Sequence, residues 1–255
     1  MGHRVHKRQR GIFVTGTDTG VGKTVVACAL AAWCRQRALD VGVMKPVATG
    51  GRWVSDGGSG RWVSDDAMAL VRAAAVDDPW SLVNPICFKE PLAPWTAALR
   101  ARAVVHMDVL VSAFRSLCAR HDVVIVEGVG GLMVPLTARL SVGDVARRLR
   151  LPVLVVAHPG LGTLNHTLLS LRYVRELRLP LAGIVMNHAE PPSRDPMARL
   201  AARTNPDVLA RFARVPVRGP LPFRPAVTNG RRSTAALGQW AEAHLGRHVL
   251  ERWVS

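Results

Sequence analysis

Gly16-Thr-Asp-Thr-Gly-Val-Gly-Lys-Thr24 holds the residue types that grip a triphosphate. Gly20 and Gly22, on either side of Val21, allow backbone conformations that other residues resist, so successive N–H groups can turn inward on phosphate oxygens. A helix opening at Lys23 and running on through Val25 adds the positive end of its dipole at the same place. In such a loop Lys23 reaches the β and γ phosphates and Thr24 gives its hydroxyl to Mg²⁺. The general G-x-x-x-x-G-K-[ST] spacing is not met, because Thr17 stands where the first glycine belongs. Context favours a phosphate loop over a chance glycine turn. The apolar run Ile12–Val14 reads as a buried strand before it, and Val25 to Leu30 follows at helical spacing.

Other candidates lie further along. Lysine occurs only at positions 7, 23, 45 and 89, in a chain where arginine is the default cation. A compact ammonium suits a close grip on an anion better than a planar guanidinium does, which singles out Lys45 as well as Lys23. Glu127 ends the apolar run Val123–Val126 and is followed by Gly128, Val129, Gly130 and Gly131. A carboxylate there suits Mg²⁺, and it equally suits the cap of a following turn. Asp66 opens a helical stretch, where an acidic cap is expected in any case. Thr49 can meet a substrate oxygen or a turn. Asn187 can read a purine edge through its amide or simply form a turn.

The elements that must position these groups alternate in type. Strands are expected at Ile12–Val14, 40–45, Val123–Val126, Val153–Ala157, Leu181–Met186 and 216–223. Helices are expected at 25–39, 66–75, 108–120, 142–149, from His166 to about 177, and 194–214, with one terminal helix over 233–254. That alternation predicts an α/β fold: a doubly wound, mostly parallel sheet with helices on both faces. Ligands of such sheets collect beyond the carboxyl ends of the strands. Lys23, Lys45, Glu127, the Gly160 loop and Asn187 all follow strand ends and are expected on one rim. Between 50 and 65, Arg-Trp-Val-Ser-Asp occurs twice around Gly57-Gly-Ser-Gly60, and we expect an elongated, mobile surface loop there. The segment 79–94 carries four prolines and reads as irregular.

At 255 residues, 49% hydrophobic and 20% charged, the chain can bury a substantial core. It has no apolar run long enough for a bilayer, and residues 1–10 read as a disordered basic tail on a cytoplasmic protein. The formal net charge of +16 raises nucleic acid as a partner. The arginines are scattered, however, and no zinc-finger, RNA-binding or basic-zipper pattern accompanies them. Solvated helix faces account for the charge, and neither nucleic acid nor membrane is expected as a partner. Four dispersed cysteines indicate neither a disulfide framework nor a zinc site.

With these residues assembled, the chain resembles the dethiobiotin synthetase family from about Gly11 to Arg224. The resemblance rests on Gly16–Thr24, Lys45-Pro-Val-Ala-Thr49, Ser64-Asp-Asp-Ala-Met68, Asn84-Pro85, Glu90-Pro-Leu-Ala-Pro94, Val126-Glu-Gly-Val-Gly-Gly131, Asn165-His166 and Ala182-Gly-Ile-Val-Met-Asn187. The longer phosphate loop is that family's. The resemblance implies ligation of CO₂ into diaminopelargonic acid (7,8-diaminononanoate) at the expense of ATP, by way of a carbamate and its mixed anhydride with phosphate. It implies Mg²⁺ held by Thr24, Asp66 and Glu127, with Lys23 and Lys45 at the chemistry. Substrate contacts fall to Thr49, Lys45 and Asn165, the last across a homodimer interface. Adenine falls to Asn187, with Pro222, Phe223 and Arg224 near the base. The synthetase domain is expected over 11–230, with the terminal helix, 231–255, packed on it.

This sequence departs from the family pattern at Gly20, where some members carry glutamate, at His188, where an acidic residue is common, and at Trp95, where histidine is usual. The expansion over 50–65 leaves Asp65 and Asp66 both open as the metal ligand. Three rivals follow from the same loop. One is an amidoligase acting on cobyrinic or cobyric acid; that family has a nucleophilic cysteine, and no Cys here follows a strand in a nucleophile elbow. Another is a partition-type ATPase that binds DNA, which carries a signature lysine where this chain has Asp18. The third is a chain that keeps the fold and has lost turnover.

Overall fold

The computed structural model describes residues 10–55, 60–224 and 234–254. Residues 1–9 of the expected basic tail lie outside the described residues. The central sheet joins β1 (Gly11–Gly16), β2 (Val41–Met44), β7 (Val123–Gly131), β8 (Val153–Ala157), β9 (Leu181–Asn187) and β10 (Val217–Leu221) in the order β10-β9-β8-β1-β7-β2. Every pairing in it is parallel. Both faces are covered, so strands such as β1 and β8 are buried throughout and read as unbroken apolar runs.

Register brings the candidate residues level. Met44 pairs with Val126, so Lys45 and Glu127 come next on neighbouring strands, and Val14 of the strand that feeds the phosphate loop pairs with Glu127 on its other side. The strand carrying Glu127 does not end there. Pairing with β1 resumes at Gly131, beyond the apolar run, after a register shift between Val14 and Gly16; Gly130, at φ +60°, lies in the irregular stretch.

The helix after the phosphate loop, α1 (Lys23–Gln36), is buried on all sides from Val26 to Cys34. A helix apolar all round needs cover on both faces. The sheet covers one. The other is covered by α2 (Asp65–Ala74) and α9 (Thr234–Leu245), whose Leu237, Ala241 and Leu245 share its core. A side chain at Gly238 would displace the Gln36 carboxamide and crowd Ala32 O (3.0 Å). Trp33 donates to Glu242 (2.9 Å) and Arg37 clasps the same carboxylate (2.6 and 2.7 Å). The expected single terminal helix is two, α9 and α10 (Arg247–Val254). Gly246, at φ +83°, breaks it so that Leu250 and Trp253 can turn back onto the core.

The duplicated segment forms an antiparallel ribbon, β4 (Arg52–Ser55) and β5 (Gly60–Val63), in place of the expected loop; residues 56–59 lie outside the described residues. Each copy alternates side to side as a strand does, and Trp53 meets Trp62 edge to face across it (5.2 Å). The proline-rich stretch is less irregular than expected: α3 (Trp80–Val83), β6 (Ile86–Cys87), paired with β3 (Val47–Ala48), and α4 (Pro94–Arg100) punctuate it. Helices α5 (Met107–Arg120), α6 (Val142–Leu149), α7 (Thr163–Glu176) and α8 (Pro196–Ala213) complete the two layers. No helix among the described residues is long and apolar enough to cross a membrane.

His121, just past α5, bridges Asp40 through Nδ1 and Asp78 through Nε2, both at 2.7 Å. Burial, the strongest single influence, lowers its pKa, but the two carboxylates together raise it above the ordinary value. A raised folded-state pKa stabilises fully below the unfolded value near ~6.5, and the stabilisation is lost as pH rises through the folded value. His121→Gln is therefore expected to cost about 1–3 kcal/mol near pH 6 and progressively less at alkaline pH. Urea unfolding of both proteins across that range measures it, and a pH-independent difference contradicts it.

Candidate active site

The carboxyl rim of the sheet encloses a cleft of about 680 Å³ lined by the phosphate loop, Lys45, Thr49, Asp66, Glu127, the Val129–Gly130 turn, Asn187 and Arg224. Its floor is a compact charge cluster. The Thr24 hydroxyl lies 2.8 Å from Glu127 Oε1 and 3.0 Å from Asp66 Oδ1, so it can donate to either. Lys45 Nζ lies 2.7 Å from Glu127 Oε1, 2.8 Å from Asp66 Oδ2, and also donates to Gly128 O (3.2 Å). Glu127 is fully buried and Lys45 nearly so, while Asp66 opens to the cleft.

These surroundings set the protonation states. Burial acts most strongly on Lys45 and lowers its pKa, yet Glu127 and Asp66 together raise it, so the ammonium stays charged. Burial raises the Glu127 pKa, with Lys45 opposing. Asp66 would also be raised by burial, but Lys45 and the Thr24 hydroxyl hold it below the usual carboxylate value.

Asp65 and Asp66 separate cleanly. Asp65 is exposed and paired with Arg52 at the base of the ribbon (2.6 Å), whereas Asp66 faces Lys45 and Thr24. Ser64 caps α2 through Ala67 N (3.1 Å), fixing the turn that sends the two carboxylates different ways. Among the described residues no three His, Cys, Asp or Glu side chains gather as a chelating group. A cation here would be held by two carboxylates and a hydroxyl, with water and phosphate oxygens to complete its shell, which is the donor set Mg²⁺ accepts. Glu127 Oε2 is buried without a hydrogen-bond partner, an acceptor that such a cation would satisfy.

The phosphate loop is held from beneath. Gly22 is the N-cap of α1 at φ +93°, and a Cβ there would overlap Asn187 Nδ2. That amide donates to Val21 O (3.0 Å). Lys23 Nζ folds back onto Asp18 O (2.8 Å), a contact that the loop pattern alone did not single out. Pro222 and Phe223 follow β10 without lining the cleft; Arg224 does line it, its guanidinium 5.1 Å above the Trp240 ring. Asn165 sits exposed in the first turn of α7, outside this cleft within the single chain.

A family model described as "AAA domain" matches residues 10–231. Over 236 residues the chain is 45% identical to an ATP-dependent dethiobiotin synthetase of Anaeromyxobacter dehalogenans (strain 2CP-C), covering 92% of this chain and 99% of that one. The chain belongs to the dethiobiotin synthetase family. A synthetase of the same name from Bacillus licheniformis is 41% identical over 213 residues, 84% of this chain and 86% of the other. With that family, the chain is an ATP-dependent ligase. Among solved structures, the cell division ATPase MinD of Pyrococcus furiosus superposes with a TM-score of 0.52 at 17% identity, over 96% of each chain, a likeness of fold.

In this dethiobiotin synthetase family member, Lys23 has a pKa lowered to about 8, chiefly by burial and then by Lys45 nearby. If Lys23 grips the triphosphate, it must do so as the protonated ammonium. On that assignment the free protein must take up a proton to bind above pH 8, so ATP affinity is expected to fall as pH rises, by about 1.4 kcal/mol per pH unit. Calorimetric titrations near pH 8.5 and pH 9.5 are expected to differ roughly tenfold in Kd. Equal values contradict the assignment.

Proposed function

We propose that the chain carboxylates and cyclises 7,8-diaminononanoate with CO₂ and ATP, giving dethiobiotin, ADP and phosphate. The observation that carries this reading is Lys45, a buried ammonium beside two carboxylates, with β7 alone between its strand and the one that feeds the phosphate loop. A cation placed there lowers the repulsion between two anions that an ATP-dependent synthetase must bring together.

One amine of the substrate adds to CO₂ and loses a proton, giving a carbamate. A carbamate oxygen attacks the γ-phosphorus, the bond to the bridging oxygen breaks, and ADP leaves. The second amine then attacks the carbamoyl carbon and gives up a proton, phosphate departs with the mixed-anhydride oxygen, and the ureido ring closes. The protein's contribution is positioning and charge neutralisation. Lys23, released from Asp18 O, would hold the γ-phosphate. Lys45 would hold the carbamate and then the anhydride, and Thr49 would fix a substrate oxygen. Thr24, Asp66 and Glu127 would hold Mg²⁺, which when bound lowers the negative charge of the β and γ phosphates. Asn187 would present its amide to adenine, with Arg224 beside it.

The reading includes a homodimer, with Asn165 completing a partner's site. Leu161, Leu169, Met197 and Leu200, exposed apolar side chains before and along α7 and on α8, support it. Incubation with ATP, Mg²⁺, the diamine and ¹⁴C-bicarbonate tests the chemistry. A ring urea survives acid and a carbamate does not, so acid-stable label in dethiobiotin is expected. Label that is wholly acid-labile overturns ring closure.

A further inference from the structure

Asn84 is fully buried and its carboxamide joins three segments. Its Nδ2 donates to Lys45 O (2.8 Å) and Ile86 O (3.3 Å), and its Oδ1 accepts from Ser64 N (3.0 Å). Ser64 is the N-cap of α2, and Asp66 stands two residues further on. A single side chain thus holds the backbone of Lys45 and the backbone immediately before Asp66. The Lys45 N–H is tied as well, to Val83 O (2.7 Å), the residue preceding Asn84. Only a short amide presents a donor group and an acceptor in one plane at this reach: aspartate lacks the donors, and a hydrocarbon of the same shape lacks both.

We propose that Asn84 is the positioning residue that sets Lys45 against Asp66. It touches neither phosphate loop nor cleft. It fixes how far the substrate-facing ammonium stands from the metal-holding carboxylate, whose 2.8 Å contact spans two otherwise separate segments. This rests on the proposed function for what Lys45 and Asp66 do. The phosphate loop is anchored separately, by Asn187 on Val21 and Lys23 on Asp18. Nucleotide binding and the geometry of Lys45 and Asp66 should therefore come apart in Asn84 variants.

The test uses the full chain with Asn84→Ala and Asn84→Asp, the second keeping the acceptor for Ser64 N. Electron paramagnetic resonance of Mn²⁺ with the ADP complex is expected to show affinity weakened about tenfold in both, with metal-free ADP affinity within about twofold of the parent. Diamine-dependent phosphate release should lose kcat about tenfold, with KM for the magnesium–ATP complex rising by up to the same factor because metal and nucleotide bind together. Leu250→Ala, in the buried face of α10, supplies a protein of lowered Tm with an intact site, and is expected to keep Mn²⁺ affinity and kcat. The proposal is overturned if the Asn84 variants bind Mn²⁺ like the parent, or if Leu250→Ala at matched Tm loses as much. It is also overturned if metal-free ADP affinity collapses along with Mn²⁺ affinity. Should the parent release no phosphate with the diamine, the synthetase reading fails, while the Mn²⁺ comparison still decides the role of Asn84.

Discussion

Lys45→Ala is expected to lose diamine-dependent phosphate release by on the order of 1,000-fold while ATP still binds. On the proposed function this ammonium holds the carbamate, and without it two anions would be brought together unshielded. Its removal also strips Glu127 of its buried partner. Breaking a buried pair by deleting one member costs about 3–5 kcal/mol, and the lower end applies here because burial already favours protonation of Glu127. The variant should therefore fold and bind nucleotide, with a lowered Tm. Steady-state phosphate release beside calorimetric ATP binding separates the two effects. Loss of ATP binding equal to the loss of turnover would remove Lys45 from the chemistry and return it to the structure.

Gly22→Ala should weaken ATP binding on the order of 100-fold, the scale of a misplaced binding loop. Two penalties combine at this one position. Its φ of +93° lies where an L side chain is strained, by about 1–2 kcal/mol. The new Cβ would also overlap the Asn187 amide, which is buried and hydrogen-bonded to Val21 O, so it has nowhere to withdraw. Gly20→Ala is the informative comparison. Gly20 also has positive φ, at +76°, but nothing stands within 4 Å of its Cβ position, so only strain applies and the loss should stay below about 30-fold. Similar losses at both glycines would show that strain alone governs the loop.

Much of this was legible in the sequence because it is local. Ile12–Val14 before a glycine loop, with Lys23-Thr24 and an apolar helix after it, fixes strand, loop and helix in a single stretch. Apolar strands ending near Lys45, Glu127 and Asn187 place those residues on one rim through parallel topology, before any contact is known. What escaped depends on partners distant in the chain. The ribbon at Arg52–Val63 pairs two copies of one pentapeptide, and the turn glycines that suggest a loop say nothing about cross-strand tryptophans. Asp65 and Asp66 are chemically identical in sequence; only the Ser64 cap and Arg52 decide which one turns inward. Gly246 looks like one more tolerated helix glycine until Leu250 and Trp253 must reach the core. Asn84 gave no chemical signal of its own, since its importance is a matter of three backbone groups that the fold brings to it. Asn165 lies outside the cleft of a single chain, and no local pattern can supply a second copy.

The most direct test is phosphate release from ATP and Mg²⁺ in bicarbonate, with and without 7,8-diaminononanoate. Release that requires the diamine, matches dethiobiotin formed one for one, and disappears in Lys45→Ala is the predicted result. Release indifferent to the diamine and raised by DNA would contradict it, and would make this chain a DNA-associated ATPase on the same fold.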